Sequence, residues 1–357
     1  MEHILLYCRP GFERECAQEI TDRAAAVDIE GQADAEPDSG FVIYSSPHAA
    51  QLAKRQRFAE LIFARQWVHA VEEVDGLPLR DRVTPLLERC GSRGKFGEVV
   101  VEHADTNEAK SLSPFCRKFS AVFAAAATEA KLLDSDRAHA LPRLHLFFVD
   151  TGRCYIGLSR ADNASSWPMG IPRLRFPGGA PSRSTLKLAE AFMTFLNPEE
   201  EAKRLRAGMQ AVDLGAAPGG WSWQFANRGI HVTAVDNGPL TDALLATGMV
   251  EHLRTDGFRY RPKRPVHWMV CDMVEKPLRI AQLVAEWMAR GDCREAIFNL
   301  KLPMKKRYQT VAEARQLILS RLQKANIECE LRFKQLYHDR EEVTGHLRRL
   351  SDKRPKR

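Results

Sequence analysis

The run AVDLGAAPGGW, Ala211 to Trp221, constrains the fold more than any other stretch of the chain. An apolar strand ending in an acid gives way to a small-residue loop with two adjacent glycines, and the loop opens a helix on Trp221. Gly219 and Gly220 lack the Cβ atoms that would keep a ligand off the backbone, and a helix N-terminus presents free N–H groups. The run therefore predicts a nucleotide-cofactor site at the end of a strand in an open α/β sheet. Gly215 is followed by Ala216, Ala217 and Pro218 before the glycine pair, a departure from G-x-G-x-x-G that weighs against a dehydrogenase. A second strand, HVTAVD, ends in Asp236 about 20 residues further on, where an acid takes the hydroxyls of an adenosine ribose. A helix cap is the competing role for Asp236.

Strands near 210–214, 231–236, 267–272 and 295–301 alternate with helical stretches, the pattern of a doubly wound parallel sheet. Before them lies SSWPMGIPRLRFPGGAPSRS, whose Pro, Gly and Arg content interrupts any regular element and predicts a link between domains. The first half reads as α+β. HILLYCRPGFERECAQEITDRAAA is a strand, a Pro-Gly turn and an amphipathic helix; FVIYSSP begins another strand. EVVVEHAD, a helical span from Asn107 to Leu133 and the hairpin RLHLFFVDTGRCYIGLSR form a second block, without a catalytic constellation. The expected boundaries are 1–60 and 61–162 for the two N-terminal modules, 163–182 for the basic linker, and 183–357 for the cofactor-binding domain.

Composition narrows the partners. The 357 residues suffice for two or three domains, no run reaches transmembrane length, and the N-terminus has no cleavable signal pattern, so the expected location is the cytoplasm. Eight cysteines without a C-x-x-C pair predict reduced core residues rather than a disulfide framework or a metal site. The net charge of +7 is modest, but its distribution is informative. Arg173, Arg175 and Arg183 precede the loop; Lys301, Lys305, Lys306 and Arg307 follow a late strand; Arg348 to Arg357 close the chain. Each cluster alone fits a solvated surface, whereas three around one site favour a nucleic acid. No dimer heptad is evident, so a monomer is expected.

Ligands of open α/β sheets sit beyond the carboxyl ends of the strands. There, VHWMVC leads into Asp272 and EAIFNL into Lys301, while Lys187 lies on the helix STLKLAEAFMTFL that enters the domain. IECELRFKQLYH and VTGHLRRL form the arms of a hairpin, and Glu341 and Glu342 at the start of the second compete to face the site. Cys271 precedes Asp272 and points to the opposite face, which argues against a cysteine nucleophile. Asp272-Met273-Val274 lacks the prolines of the [DN]-P-P-[FY] class, which argues against amine methylation.

The D-x-G-x-x-P-G-G loop followed by a strand-ending acid resembles the S-adenosylmethionine site of class I methyltransferases. The order Lys187, Asp272, Lys301, Glu342 resembles the Lys-Asp-Lys-Glu tetrad of the RrmJ-like ribose 2′-O-methyltransferases. CRPGFE, FPGGAPSRSTLKL, DLGAAPGGW and NLKLPMKKRY extend that likeness over nearly the full chain. The resemblance implies a Rossmann-like methyltransferase sheet preceded by a ferredoxin-like region and a THUMP RNA-binding domain. It also implies S-adenosylmethionine held by Ser184, Ala217, Pro218, Gly219, Gly220, Asp236, Asp256 and Asp272, and no metal. The implied substrate is a cytidine ribose in the peptidyl-transferase region of 23S ribosomal RNA, free or in an early assembly particle. Asp256, beside Gly257, reads equally as a turn acid.

Methylating a ribose hydroxyl calls for a base and an in-line geometry. Lys301 is the expected base, its ammonium disfavoured by Lys187 and by the cationic sulfonium. Asp272 orients a lysine, and Glu342 steadies the second lysine or the ribose. The alternatives are an RNA-binding assembly factor without turnover and a small-molecule O-methyltransferase.

Overall fold

The computed structural model describes residues 1–350; residues 351–357, the tail of the third basic cluster, lie outside the described residues. The chain divides into two compact units, Met1–Pro172 and the part from Arg173 onward.

The first unit is built on one seven-stranded sheet. Its strands are β1 (Glu2–Tyr7), β2 (Gln32–Asp34), β3 (Phe41–Ser46), β4 (Gln66–Val74), β5 (Glu98–His103), β6 (Arg143–Phe148) and β7 (Cys154–Ser159), in the order β2-β3-β1-β4-β7-β6-β5. Four helices belong to it: α1 (Glu13–Ala25), α2 (Ala49–Arg55), α3 (Val83–Gly91) and α4 (Ser113–Glu129). The pivotal strand is β4. Its first residues pair with β1, as in Leu5 with Val68, and its later ones pair with β7, as in Val74 with Cys154, with a register shift between His69 and Glu72. The two α+β blocks expected on either side of residue 60 thus share a continuous sheet. The helical span expected over 107–133 is shorter, because a 3-10 turn at Ala109–Leu112 precedes α4.

The opening of the Pro/Gly-rich segment is docked onto this unit. Asn163 accepts from Phe58 N at 2.7 Å through its side chain and donates to the Gln56 carbonyl at 3.0 Å. Gln66 brackets Ser165, accepting from its N–H and donating to its carbonyl, each at 3.0 Å.

The second unit carries the doubly wound sheet. Its strands are β8 (Gln210–Leu214), β9 (His231–Val235), β10 (Val250–Leu253), β11 (Val266–Cys271), β12 (Cys293–Lys301), β13 (Cys329–Lys334) and β14 (Glu342–Arg349), in the order β10-β9-β8-β11-β12-β14-β13. β10, β9, β8, β11 and β12 run parallel, while β14 is antiparallel to both of its neighbours. The helices are α5 (Thr185–Phe195), α6 (Pro198–Arg204), α7 (Gly220–Ala226), α8 (Asp242–Leu245), α9 (Pro277–Arg290) and α10 (Arg307–Lys324). Alternation along the strands buries both sheet faces. Ala211, Trp268, Val270 and Ile297 pack under Leu188 and Phe192 of α5 and Phe225 of α7. Val212, Leu214, Met269 and Cys271, one residue out of phase, are also buried. The chain reverses its order across the sheet at β8, so the ends of β8 and β11 form the switch point at which such sheets bind ligands.

The cysteines follow the core reading: all eight are free thiols, seven of them buried. Among the described residues no helix is long and apolar enough to cross a membrane, and no group of His, Cys, Asp and Glu is placed to hold a metal ion.

Candidate functional site

At the switch point a cleft of about 410 Å³ opens between the loops after β8, β9, β10 and β11. The loop after β8 closes back on itself: Gly219 adopts φ +112° as the N-cap of α7, and Gly215 adopts φ +79°. A Cβ on Gly215 would sit 2.6 Å from the Met273 side chain, and one on Gly220 would sit 2.3 Å from Ser184 Oγ. Gly215, whose Cβ would also meet the Met273 backbone at 3.1 Å, is required for the loop to lie against its neighbour, whereas the atoms nearest Gly220 are the ends of small side chains.

Of the residues expected to hold a cofactor, Ala217, Asp236, Asp256 and Asp272 line the cleft. Ser184, Pro218, Gly219 and Gly220 shape the loop beside it. Ser184 precedes α5 and contacts Ser182 Oγ at 2.7 Å, and its carbonyl accepts from Trp221 Nε1 at 3.0 Å. Asp236 joins two loops rather than capping a helix, since Oδ2 accepts from Ala217 N at 2.9 Å and Oδ1 from Gly238 N at 2.7 Å. A carboxylate oxygen can accept a second hydrogen bond, so both remain able to receive hydroxyls. Asp256 stabilises its own turn by accepting from Phe258 N at 2.8 Å while also lining the cleft. Asn237, Phe258 and Glu275 line it too and carry no signal in the sequence, although Asn237 follows directly on Asp236 and Glu275 lies three residues after Asp272.

Beside Asp272 the structure brings two lysines and two carboxylates together. β12 and β14 pair with Lys301 opposite Glu342, and Asp272 immediately follows β11, the other neighbour of β12. Lys187, in the first turn of α5, approaches from above. Its Nζ lies 2.8 Å from Glu342 Oε1 and 3.6 Å from Asp272 Oδ2. Lys301 Nζ lies 3.1 Å from Asp272 Oδ1 and donates to Glu342 Oε1 as well. Glu342 Oε2 accepts from Arg340 N at 2.6 Å. Glu341 points elsewhere: its side chain is 62% exposed and pairs with Arg307 at 2.7 Å. Successive residues of a strand face opposite sides, so only one of the two acids could meet Lys301, and the register selects Glu342.

The electrostatics correct one expectation. Burial alone would push Lys301 down, but the adjacent Asp272 and Glu342 carboxylates outweigh it and hold its ammonium above the ordinary lysine range. The neutral amine expected from proximity to Lys187 is not the resting state. For Glu342, burial favours the acid form, yet the Arg340 N–H and the two ammonium groups overcome it and lower the carboxyl to about 2. Asp213, at the end of β8, has the opposite fate. It is fully buried, and desolvation raises it to about 7 against its hydrogen bond from Ser222 Oγ at 2.7 Å, with Asp272 adding to the rise.

The basic clusters are partly committed. Arg175, Arg183, Lys305 and Lys306 are exposed, whereas Lys301 belongs to the half-buried quartet and Arg348 pairs with Glu330 at 3.1 Å.

Comparison with known proteins agrees with the two-part architecture. An RlmM ferredoxin-like domain model matches residues 1–68, a ribosomal RNA large subunit methyltransferase M N-terminal model matches 81–160, and an FtsJ-like methyltransferase model matches 180–327. The ribosomal RNA large subunit methyltransferase M of Tolumonas auensis is 50% identical over 351 residues, covering 97% of this chain and 96% of that one. The protein of the same name from Klebsiella pneumoniae is 51% identical over 355 residues, covering 98% and 97%. That from Methylococcus capsulatus is 53% identical over 352 residues, covering 98% of each. With a ferredoxin-like N-terminal match, an FtsJ-like sheet and half of its residues shared along almost its whole length, the chain belongs to the ribosomal RNA large subunit methyltransferase M family.

Proposed function

We propose that the protein methylates a ribose 2′-hydroxyl of 23S ribosomal RNA, using S-adenosylmethionine as donor, with a cytidine of the peptidyl-transferase region as the target implied by resemblance. The observation that carries this reading is the convergence of Lys187, Asp272, Lys301 and Glu342 at the strand ends bordering the glycine-loop cleft. A site for amine methylation or for cysteine-based carbon methylation needs neither lysine.

In this reading Asp236 takes the ribose hydroxyls of the donor, Asp256 reaches its adenine edge, and the Ala217–Gly220 backbone with Ser184 shapes the wall around its amino-acid end. The fit is chemical: the cleft is lined by carboxylates, suited to hydroxyls and to a cationic sulfur. Bound there, S-adenosylmethionine supplies an electrophilic sulfonium methyl. Lys187 and Glu342 orient the acceptor ribose. Lys301 would take the proton of the ribose hydroxyl as its oxygen accepts the methyl group, the donor leaving as a neutral thioether. Asp272 fixes Lys301 and faces the sulfonium charge. The quartet is neutral as a set, so an added cation favours proton loss from Lys301 before transfer.

The substrate is ribosomal RNA, either free or in an early assembly particle, and residues 61–162 are assigned the THUMP role of RNA binding. Exposed Arg175, Arg183, Lys305 and Lys306 supply phosphate contacts on the catalytic unit. The test is a map of 2′-O-methyl positions in total RNA from cells with the protein, without it, and with Lys301→Ala. One 23S ribosomal RNA position should lose its mark in the latter two. An unchanged map refutes the substrate, and a mark that survives Lys301→Ala refutes the base.

A further inference from the structure

A hydrogen-bonded chain runs away from the reacting groups into the sheet. Asn299 of β12 is fully buried, and its Nδ2 donates to Asp272 Oδ1 at 2.9 Å, the oxygen that Lys301 also contacts. Directly opposite Asn299 in the β12–β14 pairing stands Thr344, 1% exposed, whose Oγ1 lies 2.8 Å from Asn299 Oδ1 and 2.9 Å from Asp339 Oδ2. Asp339, 1% exposed in the turn between β13 and β14, also accepts from Leu336 N at 3.1 Å.

Proton counting assigns every donor. A threonine hydroxyl carries one proton and can satisfy only one of its two neighbours. Flipping the Asn299 amide would set its carbonyl against the Asp272 carboxylate, two acceptors face to face, so the amide must donate to Asp272 and accept from Thr344. The remaining proton, between Thr344 and Asp339, must then come from Asp339. Its surroundings favour the acid form: burial raises the carboxyl, and Glu342 and Glu190 add to this more than Lys187 relieves it.

We propose that Asn299 is a positioning residue for Asp272, locked in one amide orientation by Thr344 and a protonated Asp339, and that its donation to Oδ1 competes with Lys301 for that oxygen. The proposal rests on the tetrad reading above. By drawing charge from Asp272 Oδ1, Asn299 weakens the grip on the Lys301 ammonium, the group that must shed its proton. Lys301 is otherwise faced by Glu342 from β14 and by Lys187 from α5 across the shared Glu342 oxygen, while the Cys271 thiol of β11 lies on the other face of the sheet and feels its charge only at a distance. Thr344→Val keeps the shape and removes the hydroxyl. Without its partner the buried Asn299 carbonyl is left unsatisfied, and the amide is no longer held in place against Asp272 Oδ1.

The test measures methyl transfer to 23S ribosomal RNA from cells lacking the protein, across pH, for the wild type, Thr344→Val, Thr344→Ser and Asp339→Asn. Thr344→Val should lower kcat about tenfold and move the rising pH limb to higher pH, with unchanged S-adenosylmethionine affinity. Thr344→Ser should restore both rate and limb. Asp339→Asn breaks the chain independently, because one amide nitrogen cannot donate to Thr344 and accept from Leu336 N; it should shift the limb in the same direction and stands in if Thr344→Val does not fold. A wild-type pH profile in either folded variant overturns the proposal, as does a Thr344→Ser protein as impaired as Thr344→Val. Lys301→Ala in the same assay separates the two readings: if it transfers methyl groups the tetrad reading falls and takes this one with it. If it is inactive while Thr344→Val is normal, only the positioning role falls.

Discussion

Lys187 and Lys301 rest their ammonium groups on one oxygen, Glu342 Oε1, although the first comes from α5 and the second from the end of β12. Two ammoniums on a single carboxylate oxygen repel each other, and Asp272, with Oδ2 toward Lys187 and Oδ1 toward Lys301, supplies the second negative charge. The quartet is balanced at rest and would become cationic when a sulfonium arrives. In the proposed mechanism this imbalance is what lets Lys301 serve as a base.

A permanently charged side chain at position 301 can neutralise the carboxylates but cannot accept a proton at ordinary pH. Lys301→Arg should therefore keep S-adenosylmethionine affinity within a few-fold and slow methyl transfer by about 10²- to 10⁴-fold, the span of general acid–base catalysis. Single-turnover transfer together with calorimetric donor binding checks this. A rate within tenfold of wild type would make Lys301 an electrostatic group instead of a base.

How far the site could be read from the sequence depends on whether local spacing or long-range pairing decides each residue. Asp272 and Lys301 were legible because parallel strands place successive strand ends on one side of the sheet. Glu341 and Glu342 could not be separated, since adjacent strand residues differ only in which face they occupy and the register with β12 is a long-range property. Asn299 and Asp339 were invisible for the same reason: one is a polar residue inside an apolar strand and the other a turn acid, and Thr344 alone connects them. The charge state of Lys301 is not legible in the sequence, because it depends on the closeness of Asp272 and Glu342, whose carboxylates outweigh the burial that would lower it. In the first unit, the shared sheet depends on β4 pairing on both edges, and the mixed polarity of QWVHAVEEV does not announce that.

Removing one carboxylate should move the catalytic pH profile in a defined direction. In the wild type Lys301 is held above the ordinary lysine range, so transfer limited by its neutral form rises with pH into the alkaline region. Glu342→Gln removes a partner that raises it while leaving the burial that lowers it. The rising limb should move to lower pH even though the maximal rate falls. The same variant should also respond differently to acid. Glu342 is lowered to about 2, so its contribution to wild-type stability is present above about 4.5 and is lost as pH falls toward about 2. Glu342→Gln lacks that contribution at every pH, and its denaturation midpoint should change less with pH across that window. A limb that moves to higher pH contradicts the account of Lys301.

Asp213 should show the opposite linkage. Its carboxyl is raised to about 7 by burial and by Asp272, so the folded state favours the protonated acid. The contribution is fully present below about 4 and lost as pH rises through about 7. Asp213→Asn keeps a neutral side chain of the same shape and has nothing to ionise. Relative to wild type it should gain stability as pH rises across this interval, by a few kcal/mol in all, as the pH-dependent term disappears. Urea denaturation at pH 4, 5, 6, 7 and 8 measures the difference, and a constant offset between the two proteins would show that Asp213 titrates alike in the folded and unfolded states and is not raised by burial.

The glycine pair that first marked the cofactor loop makes unequal demands. Gly219 holds φ +112°, and an added Cβ would meet Leu244 Cδ2 at 2.3 Å, with Pro181 and Leu240 beyond it. Leu244 is itself buried in the core, packed beneath the same loop, and cannot simply swing away. Gly220 is helical, and the nearest atoms to its missing Cβ are the hydroxyls of Ser184 and Ser182, ends of small side chains that can rotate. Gly219→Ala carries both the left-handed backbone penalty, about 1–2 kcal/mol, and the clash, so it should lower the melting temperature and weaken S-adenosylmethionine binding together. Gly220→Ala should be milder in both. Thermal melts with and without S-adenosylmethionine measure the two effects in one experiment. If Gly220→Ala proves the more damaging, the close seat of α7 on the Ser182–Ser184 segment, rather than the backbone turn at Gly219, controls the shape of the loop.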